Sequence, residues 1–108
     1  MENISTNDVL DLGSIIKDAL PKSMVSYCSN FDDFYHGWDI CPQPGILIRL
    51  CVEMNDAMRI RITKYITNTY DGTCQMRQMY FGTVPASDEM EPDFGFVKQL
   101  LKNWDAVG

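Results

Sequence analysis

A chain of 108 residues with 45% hydrophobic residues is long enough for one modest core, and its net charge of −6 argues against a surface that grips nucleic acid on every side. No apolar run approaches the roughly 18 residues of a transmembrane helix. The opening Met-Glu-Asn-Ile-Ser-Thr-Asn-Asp has neither the basic nor the apolar region of a secretory signal, so the expectation is one domain over residues 1–108, in the cytoplasm, with no membrane partner.

The first element predicted is a helix over Thr6–Leu20. Val9, Leu12, Ile15, Ile16, Ala19 and Leu20 form one stripe at helical spacing. Thr6 or Asn7 suits the cap, Asp8 and Asp11 suit the positive end of the helix dipole, and Pro21 ends the element. Ser23–Ser29 alternates poorly and reads only as a short strand. In the segment that follows, Pro42, Pro44 and Gly45 mark a loop, while Trp38–Cys41 has the composition of a further strand.

Ile46–Met54 and Met58–Thr67 alternate cleanly and predict two strands. A third is expected over about Thr73–Thr83, after the Asp71-Gly72 turn signal. Side chains repeat every two residues, so facing partners must share a side of the sheet. A three-residue loop Asn55-Asp56-Ala57 satisfies this: it sets Val52 against Ile60, Leu50 against Ile62 and Glu53 against Arg59. A Tyr70-Asp71-Gly72 loop with a bulge at Gly72 sets Ile66 against Met76, Lys64 against Gln78 and Ile62 against Tyr80.

Two faces follow from that register. The inner one carries Ile46, Ile48, Leu50, Val52, Met58, Ile60, Ile62, Ile66, Met76 and Tyr80, with Lys64 and Gln78 at its margin. Arg49, Glu53, Arg59, Arg61, Tyr65, Arg77, Met79 and Phe81 take the outer one. Residues 83–93 read as a loop with an acidic run. The last element is a helix over about Pro92–Trp104, with Phe96, Val97, Leu100, Leu101 and Trp104 as its stripe. The predicted class is α+β: an antiparallel meander sheet of three to four strands, with N- and C-terminal helices packed on one face.

Charge is laid out unevenly along this plan. Residues 1–45, 46–83 and 84–108 carry −5, +2 and −3. By register, Arg49, Arg59, Arg61 and Arg77 share the outer face with Tyr65, Met79 and Phe81. Arginine among aromatics is the composition of protein hot spots and of surfaces that stack unpaired bases. It also suits a plain solvated face, with Glu53 against Arg59 and a cation–π pair between Arg77 and Tyr65.

The acidic ends resolve into two clusters. Phe31, Asp32, Asp33, Phe34, Tyr35, Trp38 and Asp39 interleave acid and aromatic groups, and a helical turn or two would bring the four aromatics to one side. Asp88, Glu89, Glu91 and Asp93 precede the last helix. Both suit an epitope for a basic partner, although aromatics that plug into the core are the plainer reading of the first.

The single histidine, His36, lies near Asp33 and Asp39 in sequence, the minimum for acid–base work. No Gly-rich phosphate loop, G-x-S-x-G or H-E-x-x-H accompanies it, so no enzyme is expected. Cys28, Cys41, Cys51 and Cys74 contain no C-x-x-C. Cys28, His36 and Cys41 lack a fourth ligand and a known spacing, so free thiols and no metal or cofactor are expected.

The function these features favour is a small acidic protein-binding module, of the kind that acts as a stoichiometric inhibitor: a phage anti-defence or immunity-type protein occluding a basic surface of its target. The alternatives are a single-stranded nucleic-acid binder using the arginine-aromatic face, and a homodimeric structural or secretion-chaperone-like protein.

Overall fold

The computed structural model describes residues 4–29, 35–54, 57–85 and 92–106. Helix α1 spans Thr6–Ala19. Five strands follow: β1 Met24–Ser29, β2 Tyr35–Gln43, β3 Ile46–Met54, β4 Met58–Thr67 and β5 Cys74–Thr83. Helix α2 spans Gly95–Lys102, and a single 3₁₀ turn covers Trp104–Ala106. The sheet is an antiparallel meander in the order β1-β2-β3-β4-β5. It has five strands where three to four were expected. Neither β1 nor β2 shows the alternation of a half-buried strand. All six residues of β1 are exposed, and β2 buries residues on both of its faces.

Local chemistry sets the element ends. The cap of α1 is Ser5, one residue before the expected position, and its Oγ accepts from the Asp8 amide at 3.1 Å. Helix α2 starts at Gly95 rather than Pro92, and the Asp93 carboxylate accepts the Gly95 amide at 3.0 Å. Pro44-Gly45 forms the tight turn between β2 and β3. Gly45 takes φ +85°, which the second central position of a Pro-Gly turn demands. Pro42 lies in the β2 bulge between Ile40 and Gln43, where a residue without an N–H is tolerated.

The β3–β4 register matches expectation residue for residue, including Val52 against Ile60 and Glu53 against Arg59. The β4–β5 register matches at Ile62–Tyr80 and then departs. Lys64 faces Arg77, Tyr65 faces Met76 and Ile66 faces Gln75. The hairpin loop is one residue longer than expected. The Asn68 carboxamide accepts the Tyr70 amide, and the Asp71 carboxylate accepts both the amide and the hydroxyl of Thr73. These bonds favour the longer turn, which keeps Gly72 at φ +73°. The extra residue is absorbed as a bulge at Met79, which packs against the core.

The core is built on the inner face. Ile40, Ile48, Leu50, Val52, Ile60 and Ile62 are fully buried, and Leu12 and Ile16 of α1 and Val97 and Leu101 of α2 belong to the same cluster. The two helices also touch each other. Each fully buried aliphatic side chain contributes about 1.5–3 kcal/mol. Lys64 is buried at 3% exposure, and its ammonium donates to the Trp104 carbonyl at 2.9 Å. Among the described residues no helix is long and apolar enough to cross a membrane.

Candidate functional site

The bulge at Met79 redraws the outer face. Arg77 leaves it for the side of Lys64, Met79 turns into the core, and Met76, expected inside, comes out beside Tyr65. The expected Arg77–Tyr65 contact is replaced by Arg49, whose guanidinium carbon lies 5.6 Å from the Tyr65 ring centroid. Arg77 instead donates to the Met76 carbonyl and the Gln75 carboxamide.

What remains is partly compensated. Arg49 forms a two-pronged ion pair with Asp39 across β2–β3, at 2.8 and 3.2 Å. That pairing raises the Arg49 pKa above its ordinary value. Arg59 sits directly opposite Glu53. Arg61 lies over the ring of Phe81 at 4.6 Å, and Phe81 is 46% exposed. Three arginines and two carboxylates therefore share this face, a much weaker positive field than four arginines alone.

Beside them sit two thiols. Cys28 and Cys51 face outward on β1 and β3 with Gly37 of β2 between them. The Tyr35 ring folds over Gly37, where a Cβ would approach its hydroxyl to 3.1 Å, and that hydroxyl meets the Cys51 sulfur at 2.9 Å. The contact with Cys51 and burial push the Tyr35 phenol pKa up. Two strand spacings put the cysteine Cα atoms about 9.5 Å apart, beyond the roughly 7 Å a disulfide tolerates. Among the described residues all four cysteines are free.

The acidic-aromatic segment is not one surface. Tyr35 and Trp38 lie on a strand and point to opposite faces, so the helical arrangement does not form there. Trp38 is in the core at 4% exposure, against the Tyr27 ring. Asp39 is held by Arg49. Phe31, Asp32, Asp33 and Phe34 lie outside the described residues, as do Asp88, Glu89 and Glu91.

His36 is not a loop residue. It is buried on the inner face of β2, with Nδ1 bonded to the Tyr27 hydroxyl, and the outward Asp39 is on the other side of the sheet. A His36–Asp39 pair is thereby excluded. Cys28 and Cys41 face outward while His36 faces inward, which separates that ligand trio as well. Among the described residues no group of three metal-ligating side chains converges.

One of the sequence-predicted residues does enter a concave site. Asp93 lines a groove of about 510 Å³ between α1 and the start of α2, together with Asp11, Ser14, Ile15, Asp18, Pro92 and Phe94. Its rim is acidic: Asp11 and Asp18 stand seven residues apart, two turns along one side of α1. Its floor is apolar, with Phe94 buried and Ile15 half-buried. In the sequence Asp11 is legible as a charge near the positive end of the helix dipole, and Asp18 only as a polar position outside the helix stripe. Nothing local to them signals that a segment more than 70 residues onward closes the groove.

No known protein family, curated protein or solved structure matches this chain. The site must be read from its own chemistry.

Proposed function

We propose that this protein is a small, non-enzymatic, cytoplasmic binding module that docks a basic surface of a partner protein and blocks it by occlusion, as a stoichiometric inhibitor does. The observation that carries the reading is the groove: Asp11, Asp18 and Asp93 ring an apolar floor of Ile15, Pro92 and Phe94. An apolar floor with a charged rim is the layout of a protein contact, in which burial supplies affinity and the rim supplies orientation and on-rate. The expected ligand surface is a lysine- or arginine-rich segment with one or two apolar side chains.

The test is a paired capture from the source cell, with the wild type and an Asp11→Asn/Asp18→Asn/Asp93→Asn variant as baits. Asparagine at position 93 can still accept the Gly95 amide while removing the charge. The expected result is a basic partner retained by the wild type, released by salt, and lost from the variant. Capture indifferent both to salt and to the three substitutions would sink the reading.

A second reading has its own observation. The exposed Phe81 ring beneath the Arg61 guanidinium is a stacking platform of the kind that holds an unpaired base. It supposes that both helices lie over the isoleucine face, which the shared core supports, leaving the other face open. The ion pair of Arg49 with Asp39, and the position of Glu53 opposite Arg59, make this the weaker of the two.

A further inference from the structure

The first strand of the sheet is an unguarded edge. Among the described residues β1 has a neighbour on one side only. All six of its residues are exposed, with Met24 at 78%, Val25 at 45% and Tyr27 at 49%; among the described residues Ile4 and the start of α1, at Thr6 and Val9, border its inner face beside Tyr27 and leave Val25 and the outer face open. An outermost strand presents a row of backbone donors and acceptors to any strand that arrives. Proteins ordinarily blunt such an edge with charge, proline or a bulge. β5, the opposite edge, carries Arg77 and the Met79 bulge. Met-Val-Ser-Tyr-Cys-Ser carries none of these, and it pairs with β2 in unbroken register from Met24 to Ser29.

The backbone valence requires the occupant to be another strand, and the side chains point to a second copy of this one. Across an antiparallel two-fold, facing residues must share a sheet side, so the axis has to pass through a residue and not between two. An axis at Ser26 sets Val25 against Tyr27 of the second copy on the inner face and Met24 against its Cys28 on the outer face. Every exposed apolar side chain of the strand then meets another. Moving the axis to Val25 or Tyr27 sets Tyr27 against Ser23, or Val25 against Ser29, and loses the match. The strand has no charged side chain, so two chains of net charge −6 meet here without carboxylates facing each other.

We propose that β1 is a self-association edge: two copies pair antiparallel through Met24–Cys28 about a two-fold axis at Ser26, joining their sheets into one of ten strands. No residue lining the acidic groove belongs to β1, so the proposal stands apart from the function proposed above. One strand pair is a small interface, below about 1,200 Å², and a dissociation constant in the micromolar range is expected.

Ser26→Lys and Ser26→Glu test both the edge and the register, because each places like charges directly opposite one another at the axis. The readout is sedimentation velocity on the full chain from about 10 to about 500 micromolar, a range that brackets a small interface. Far-ultraviolet circular dichroism checks that each variant keeps its fold. The wild type is expected to shift from monomer to dimer across the series. Each variant alone should dimerise at least about fivefold more weakly, and an equimolar mixture of the two should recover a heterodimer. Met76→Lys on β5 should leave dimerisation unchanged. A wild type that stays monomeric throughout overturns the proposal. So does a dimer that Ser26→Lys leaves intact, or a mixture that fails to restore association.

Discussion

Replacing Lys64 by methionine should destabilise this protein by about 2 kcal/mol, a figure that follows from what the ammonium touches. Lys64 is 3% exposed, its Nζ donates to the Trp104 carbonyl at 2.9 Å, and it lies 5.8 Å from the centroid of the Trp104 ring. A hydrogen bond from a charged donor contributes about 1.5–3 kcal/mol. A desolvated cation over an indole adds up to about 2 kcal/mol. Against these stands the cost of holding an ammonium out of water between Ile48 and Arg77, its neighbours across β3 and β5.

Methionine keeps most of the stem volume, so the Lys64→Met change isolates the ammonium from the packing. In a domain of this size the loss corresponds to a fall in Tm of about 8 °C. Urea and thermal unfolding followed by circular dichroism measure it. Lys64→Ala should cost more, since it also leaves a cavity beside Ile48. The reasoning is refuted if Lys64→Met is as stable as the wild type or more so. In that case the buried ammonium costs as much as its bonds return, and the C-terminal turn gains no net stability from it.

Two further outcomes are expected. Asp71 accepts the amide and the hydroxyl of Thr73, and these bonds hold its carboxyl below the ordinary carboxylate value. A folded-state value below the unfolded one means that its contribution to the β4–β5 turn is present above about pH 4 and fades as pH falls through the lowered value. A carbon-detected pH titration should show Asp71 protonating below the ordinary aspartate value, and an Asp71 that titrates at that value contradicts the assignment. If the outer face binds single-stranded nucleic acid, a short oligonucleotide at low salt should bind the wild type and bind Phe81→Ala at least about fivefold more weakly. No binding at high micromolar protein removes that reading.

The two residues that most altered the outer face, Arg77 and Met79, were placed by strict alternation along β5. A bulge is not written in a period-two pattern, because the turn and the core compete for the one extra residue. Here the side-chain bonds of Asn68 and Asp71 win the turn, and the sheet takes the extra residue at Met79. Trp38 and His36 were read from a segment whose alternation is masked, since β2 buries both of its faces in part. His36 is inward because it lies an even number of residues from Trp38 and Ile40, a fact that becomes usable only once the segment is known to be a strand.

By itself the sequence determined the β3–β4 hairpin. Its apolar residues recur every second position, and the preferred three-residue loop sets Glu53 against Arg59 while apolar residues face one another. It also determined the two amphipathic helices, whose stripes repeat at helical spacing over short stretches of chain. These features are local, and the burial that rewards them acts on neighbours in the chain. Tertiary structure alone decided the five-stranded order, the ion pair that largely compensates Arg49, and the acidic groove in which Asp11 and Asp18 meet Asp93. Each of these depends on which distant segments come to lie side by side, and that is settled by how the whole core packs.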